Sequence, residues 1–151
     1  MQQLGDLFPD EFREQLAVNN LKIGSVLRYF DDNTIPPKIK RKVVVGFDAD
    51  KILFAFLYIN TEINPNIFPT QSLRDLHLEL DITGRDYLDH KSFLDCSQIF
   101  EDDTERVKML MTNDVNIHKG ELSKEDFDNV FKKVKSAKTI ATKIKRKYGF
   151  I

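Results

Sequence analysis

The chain has 151 residues, of which 41% are hydrophobic and 31% charged, and its formal net charge is −1. This composition predicts one globular domain with a real core and excludes a largely disordered chain, and the small net charge favours no partner by itself. A single cysteine, Cys96, excludes an internal disulfide and is typical of a reducing compartment. Since neither a secretory pattern nor an apolar run of membrane-spanning length is found, we expect a cytoplasmic protein with no membrane partner.

The first predicted elements are a short helix and a strand. Pro9 and the acidic residues after it favour a helix over residues 9–19, within an N-terminal helical arm that we take as residues 1–20. The main domain is expected over residues 21–151, and it opens with a strand over residues 21–30 before a proline-containing loop. We therefore predict an arm followed by one domain.

Two apolar runs, residues 43–47 and 52–59, are rich in β-branched and aromatic side chains and are separated by a short polar segment. Such runs predict the two strands of a tight hairpin rather than helices. In that hairpin Arg41, at the entry of the first strand, lies beside residues 60–62 at the exit of the second. A guanidinium, a hydroxyl and a carboxylate are then expected at one end of a small sheet.

Beyond the hairpin the pattern predicts three short strands and two helices. The strands are expected over residues 76–80, 92–100 and 115–122, and a short helix over residues 101–112. A capping pattern and an apolar stripe at helical spacing predict one long C-terminal helix over residues 124–147. Together these elements indicate an α+β fold, with antiparallel strands in a small, strongly bent sheet or barrel, a short inserted helix and a long C-terminal helix.

The basic run over residues 38–42 is the first candidate for chemistry. It carries four cations, Lys38, Lys40, Arg41 and Lys42, which can grip phosphates through charge and hydrogen bonds. Arg41 is the most specific of them, because a planar guanidinium holds two phosphate oxygens in a fixed fork. The alternative interpretation is a solvated strand entry that the lysines keep soluble.

The polar triplet Asn60, Thr61 and Glu62 is the second candidate. Thr61 offers a hydroxyl donor and Glu62 a proton acceptor, both at the end of a predicted strand. Ordinary loop chemistry at a strand end is the alternative interpretation of the same three residues.

Polar residues within a predicted strand, Asp95, Ser97 and Gln98, are the third candidate. Alternation places Asp95 and Ser97 on one face and Cys96 and Gln98 on the other. An ionised aspartate is rarely buried unless it is paired, so its face is either solvent or a polar site. A solvent-facing edge strand is the alternative.

The three histidines, His77, His90 and His118, lack metal-ligand spacing, so no metal and no other cofactor is expected. Asp89 and His90 add an acid and a base just upstream of the third candidate. A Cys96 nucleophile assisted by His90 is a further alternative, although a lone cysteine in a strand is more often a packing residue.

The order of these landmarks resembles that of the MazF/PemK/Kid family of toxin endoribonucleases. The family has Gly-Asp in its first strand, Arg-Pro before an apolar run, Pro-Ile-Thr after it, an Asp-Gln segment, and Gly-x-[LI] before the final helix. The corresponding segments here are residues 23–26 (IGSV), 41–45 (RKVVV), 59–61 (INT), 96–99 (CSQI) and 120–123 (GELS). Lys42 replaces the family proline, and residues 95–98 read DCSQ where Kid-like members have Arg-Cys-Asp-Gln. The resemblance covers roughly residues 21–145.

This resemblance implies an SH3-like barrel, a homodimer, and a toxin of a toxin–antitoxin system that an antitoxin protein neutralises. It implies cleavage of single-stranded RNA without a metal, in which the ribose 2′-hydroxyl attacks the adjacent phosphorus. By position, Arg41 would stabilise the phosphorane charge and Thr61 would hydrogen-bond the scissile phosphate. Glu62 or Asp95 is the expected base.

The same interpretation assigns the substrate-binding residues. They are expected to be Lys38, Lys40, Lys42, Asn60, Ser97 and Gln98. The alternative function is a non-catalytic binding module on the same fold, either a CcdB-like toxin directed at gyrase or an RNA-binding protein that uses the basic run and the terminal helix.

Overall fold

A computed structural model of the chain describes residues 10–151, and the beginning of the predicted N-terminal arm, residues 1–9, lies outside the described residues. Seven strands are present: β1 Ser25–Asp31, β2 Lys38–Phe47, β3 Leu53–Asn60, β4 His77–Leu80, β5 Ser92–Asp95, β6 Phe100–Asp103 and β7 His118–Glu121. Five α-helices accompany them: α1 Asp10–Asn20, α2 Gln71–Arg74, α3 Thr104–Asn113, α4 Lys124–Ser136 and α5 Thr142–Lys147. A short 3-10 helix, Val115–Ile117, precedes β7. None of these helices is long and apolar enough to cross a membrane.

The seven strands form one sheet in the order β4-β5-β3-β2-β1-β7, and β6 pairs with β3 off this path. Every pairing in the sheet is antiparallel. The sheet is strongly curled and closes about half of a barrel. The predicted α+β class and the bent antiparallel sheet are therefore confirmed, with five α-helices in the described part of the chain where the sequence predicts three.

The predicted hairpin is present as β2 and β3. Arg41 pairs with Ile59 at the end of the ladder between the two strands, whereas β2 begins earlier, at Lys38. The connecting turn contains Lys51, whose φ is 57°. Because β2 runs on past its pairing with β3, the basic run lies beside the residues that leave β3, as the sequence predicts.

The two hairpin strands are buried on both faces, which explains why their sequences are continuous apolar runs rather than alternating ones. One hydrophobic cluster joins them to α4 and the C-terminal residues, and it includes Val43, Val45, Leu57, Val130, Val134 and Phe150. The other joins them to α1 and α3, and it includes Ala17, Val44, Phe54, Phe56, Val107 and Met111. Packing on both faces fixes the hairpin in place, and with it the position of its polar end.

Residues 92–100, predicted as one strand, form β5 and the start of β6 with a turn between them. The turn begins where the Asp95 carboxylate accepts hydrogen bonds from the backbone nitrogen and the hydroxyl of Ser97, at 2.8 and 2.5 Å. An aspartate that bonds to the backbone two residues ahead stabilises a turn at the expense of an extended ladder. The predicted single strand is therefore wrong, and strand alternation does not apply beyond Asp95.

The C-terminal helix predicted over residues 124–147 is divided into α4 and α5, so the prediction of one continuous helix is wrong. The apolar stripe continues through the break, which is why periodicity does not reveal it. In the break, the Thr139 hydroxyl donates to the carbonyl oxygen of Ser97. The ammonium of Lys145, a buried residue of α5, donates to the carbonyls of Lys135 and Ala137 at 2.9 and 2.6 Å. These tertiary bonds satisfy carbonyls at the end of α4 and replace a continued helix.

Candidate active site

A cleft of about 370 Å³ lies where β2 extends beyond its pairing with β3. Its walls come from β2, from the end of β3 with the loop that follows, and from the segment that leads into β5. The lining residues are Lys38, Ile39, Lys40, Arg41, Ile59, Asn60, Thr61, Glu62, Asn64, Ile67, Phe68, His90 and Ser92. Six of the ten site residues predicted from the sequence therefore meet in one cavity: Lys38, Lys40, Arg41, Asn60, Thr61 and Glu62.

The guanidinium of Arg41 is held by two groups from the segment before β5. Its Nε donates to the carbonyl oxygen of Tyr87 at 2.9 Å, and its Nη2 pairs with the Asp89 carboxylate at 2.9 Å. The hydrogen bond and charge of Arg41 lower the pKa of Asp89 below its usual range. Asp89 is mostly exposed, so its ion pair orients the guanidinium of Arg41 while the guanidinium can still bind an anionic ligand. Nη1 of Arg41 has no hydrogen-bond partner among the described residues.

Lys40 is the second cation fixed in the cleft. Its ammonium donates to the side-chain oxygen of Asn60, across the gap between the β2 extension and the end of β3. Burial, together with repulsion from Lys38, lowers the pKa of Lys40 below its usual value. Three cationic side chains line the cleft against the single carboxylate of Glu62, so the cavity favours anionic groups.

Thr61 and Glu62 are exposed and directly follow the last residue of β3. Within residues 10–151 neither side chain makes a hydrogen bond or an ion pair, so a hydroxyl and a carboxylate are both available to a ligand. The arrangement brings together a fixed guanidinium, a hydroxyl donor and a carboxylate. Those are groups that bind a phosphodiester and transfer protons near it.

Lys42 lies outside the cleft, although it belongs to the same basic run. Its side chain is 2% exposed, and its ammonium lies 3.1 Å from the carboxylate of Asp31 and 3.6 Å from that of Asp102. It also contacts the hydroxyl of Tyr29 at 3.2 Å and lies over the ring of Phe56. The structure gives Lys42 a place in a buried ion cluster and no access to a substrate in the cleft.

Asp95, Ser97 and Gln98 do not line the cleft either. The carboxylate of Asp95 is engaged by Ser97 within the turn and lies 3.6 Å from Nε2 of His77. Ser97 is buried and Gln98 is exposed. Burial, with a contribution from Asp95, raises the pKa of the Cys96 thiol to about 12, so this cysteine is not a thiolate at neutral pH.

The segment from Tyr87 to Ser92 was not among the site residues predicted from the sequence. Its residues His90 and Ser92 line the cleft, and Tyr87 and Asp89 hold Arg41. The sequence does contain one signal for it, the neighbouring acid and base Asp89 and His90. No signal indicates that the carbonyl of Tyr87 holds Arg41, because any residue has a carbonyl and the two positions are 46 residues apart.

No protein-family model matches the chain, and no curated protein matches it. Among residues 10–151, no group of three or more His, Cys, Asp or Glu side chains is arranged to hold a metal ion.

Proposed function

We propose that the chain is an endoribonuclease that cleaves single-stranded RNA without a metal, as the resemblance to the MazF/PemK/Kid toxins implies. The observation that carries this proposal is the cleft at the end of the hairpin. It gathers Arg41, Thr61 and Glu62 with the cations Lys38 and Lys40. A positively charged cavity with a fixed guanidinium suits an RNA backbone, whose phosphates dominate its affinity for proteins.

The proposed reaction is attack of the ribose 2′-hydroxyl on the adjacent phosphorus, which leaves a cyclic phosphate. Negative charge accumulates on the phosphorane oxygens, and donors fixed beforehand stabilise that charge most effectively. Arg41 meets this requirement because Tyr87 and Asp89 hold its guanidinium. Thr61 supplies a hydroxyl donor for a phosphate oxygen, and Lys38, Lys40 and Asn60 bind the flanking backbone.

The remaining parts of the proposal come from the resemblance. They are an SH3-like arrangement of the curled sheet, a homodimer, a cytoplasmic location and an antitoxin partner that neutralises the toxin. The curled antiparallel sheet is compatible with the SH3-like arrangement, although two strands of the sheet share one edge of β3.

The test is cleavage of mixed-sequence single-stranded RNA in EDTA by the wild type and by Arg41→Ala. We expect the wild type to leave 2′,3′-cyclic phosphate ends and the variant to lose about 100-fold or more in rate, because a preorganised donor contributes on that scale. Arg146→Ala is the matched control, since Arg146 is an exposed arginine of α5 that does not line the cleft.

Two results would contradict the proposal. Undiminished cleavage by Arg41→Ala would show that the cleft is not the active site. Binding of RNA by the wild type with no cleavage would favour the non-catalytic RNA-binding module. Chelator-insensitive cleavage excludes a contaminating metal-dependent nuclease, and the inactive Arg41 variant, purified in the same way, excludes other contaminants.

A further inference from the structure

His90 is the one histidine that lines the cleft within the described residues. It directly follows Asp89, which holds Arg41, and it lies two residues before the start of β5. The side chain is exposed to solvent. The segment that orients the guanidinium of Arg41 therefore also places the imidazole of His90 in the same cavity.

The hydrogen bonds of His90 define which ring nitrogen is free. Nδ1 lies 3.0 Å from the carbonyl oxygen of Lys91, and a carbonyl can accept but not donate, so Nδ1 carries the proton of the neutral ring. The Ser92 hydroxyl donates to the carbonyl oxygen of His90 at 2.9 Å, which stabilises the backbone turn at this point. Nε2 consequently holds the lone pair, and it has no partner among the described residues.

We propose that Nε2 of His90 is the general base that takes the proton of the attacking 2′-hydroxyl. This inference rests on the proposed ribonuclease function. The 2′-oxygen transfers its proton to Nε2 and forms a bond to phosphorus, while the bond from phosphorus to the 5′-oxygen breaks. The 5′-oxygen keeps the electron pair of that bond and takes a proton from water, and His90 returns its proton to solvent. Arg41 stabilises the charge on the phosphorane.

His90 is better suited to this role than the two carboxylates that the sequence nominates. Asp95 does not line the cleft, and its carboxylate is engaged by Ser97. Glu62 lines the cleft, but carboxylates as a class are weaker bases than imidazoles. A general base contributes about 100-fold to 10,000-fold in rate when its basicity matches the working pH.

The experiment compares the wild type with His90→Gln, His90→Ala, Glu62→Gln and His118→Gln. His118 is the matched control, because it is a histidine of β7 that does not line the cleft. Each protein is assayed for cleavage of mixed-sequence single-stranded RNA in EDTA. Each is also assayed for binding of a 2′-O-methyl RNA of the same length, which has no hydroxyl to deprotonate. Because His90 is exposed, His90→Gln is expected to fold, which far-ultraviolet circular dichroism checks.

We expect His90→Gln to lose about 100-fold or more in kcat and to bind the 2′-O-methyl RNA as the wild type does, with His118→Gln unchanged. Imidazole added to His90→Ala should restore part of the lost rate, because a free imidazole can occupy the vacated space and take the proton. This rescue separates proton transfer from a purely structural role.

Each other outcome has a defined meaning. A fully active His90→Gln overturns the assignment of the base while leaving the ribonuclease function intact, and a large loss in Glu62→Gln alone transfers the role to Glu62. Loss of activity in His90→Gln without any rescue of His90→Ala by imidazole also overturns the proposal. A wild type that fails to cleave RNA overturns both the proposed function and this inference.

Discussion

Two cations of one strand, Arg41 and Lys42, are neighbours in sequence and belong to different regions of the molecule. Arg41 reaches the open cleft, where it is anchored on one side and available to an anion on the other. Lys42 points to the opposite face of β2, where Asp31, Asp102 and aromatic rings enclose it. The same charge thus lines an open cleft in one place and neutralises buried carboxylates in the other.

Strand parity therefore decides which cations of a basic run are enclosed and which line the cleft. Successive side chains of a strand face opposite sides, so a one-residue change of register would exchange the environments of Arg41 and Lys42. A buried ion pair is sensitive to the removal of either partner, whereas the pair of the partly buried Arg41 with the mostly exposed Asp89 contributes less to stability. Mutations in the two regions should therefore affect different measurements.

The largest effect is expected for Lys42→Met. This change keeps most of the length of the side chain but leaves Asp31 buried without its cation, which should cost about 3–5 kcal/mol of unfolding free energy. Lys38→Met, on the same strand but exposed, should change the unfolding free energy by about 0.5 kcal/mol or less. Urea denaturation of the two variants measures both values. Equal stabilities would remove the distinction between the two regions.

The second prediction concerns the contribution of Asp31 to the unfolding free energy at acidic pH. Burial tends to raise the pKa of Asp31, but hydrogen bonds from Tyr58, Asn33 and Lys42 outweigh it and hold that pKa below its usual value. A folded-state pKa below the unfolded one stabilises the protein above the unfolded pKa, about 3.9 for aspartate, and this contribution is lost as pH falls through the folded pKa.

The unfolding free energy of the wild type should therefore fall steeply below about pH 4. The double variant Asp31→Asn with Lys42→Met, which has no ion pair at this site, should lose part of that pH dependence. Denaturation curves recorded between neutral and acidic pH provide the comparison. An identical pH dependence in both proteins would mean that the buried pair does not contribute to acid sensitivity.

The smallest effect is expected for Lys40→Gln in the cleft. Removing one phosphate contact should reduce the slope of log binding constant against log salt concentration by about 0.7 for single-stranded RNA. Lys143→Gln, which removes an exposed lysine of α5 outside the cleft, should leave the slope unchanged. Fluorescence anisotropy with the 2′-O-methyl RNA at several salt concentrations measures the slopes. Equal slopes in the two variants would contradict the cleft as the RNA site.

Much of the hairpin follows from local sequence. Two apolar runs with a short polar break specify two strands and a turn, and an antiparallel pairing then brings Arg41 beside the end of β3. The residues nominated at that end, Asn60, Thr61 and Glu62, do line one cleft with it. The cap of α4 is also local, because the Ser123 hydroxyl accepts from the backbone nitrogen of Asp126 as the capping pattern predicts.

The turn after Asp95 and the break between α4 and α5 could not be predicted from local sequence. The turn after Asp95 is stabilised by a side chain that competes with the ladder, and the end of α4 is satisfied by Lys145 from the next helix. A hydrophobic pattern reports which positions are buried, but it does not report where a tertiary hydrogen bond replaces a helical or strand bond.

The α+β class, the hairpin and the polar groups at its end follow from the sequence, because these depend on local periodicity and on pairing between adjacent strands. Only the tertiary structure encloses Lys42 while Arg41 lines the cleft, and only it brings His90 into the cleft and Tyr87 and Asp89 against Arg41. The physical reason is distance along the chain. Arg41 meets Asp89 across 48 residues, and only the packing of the whole sheet brings those two side chains together.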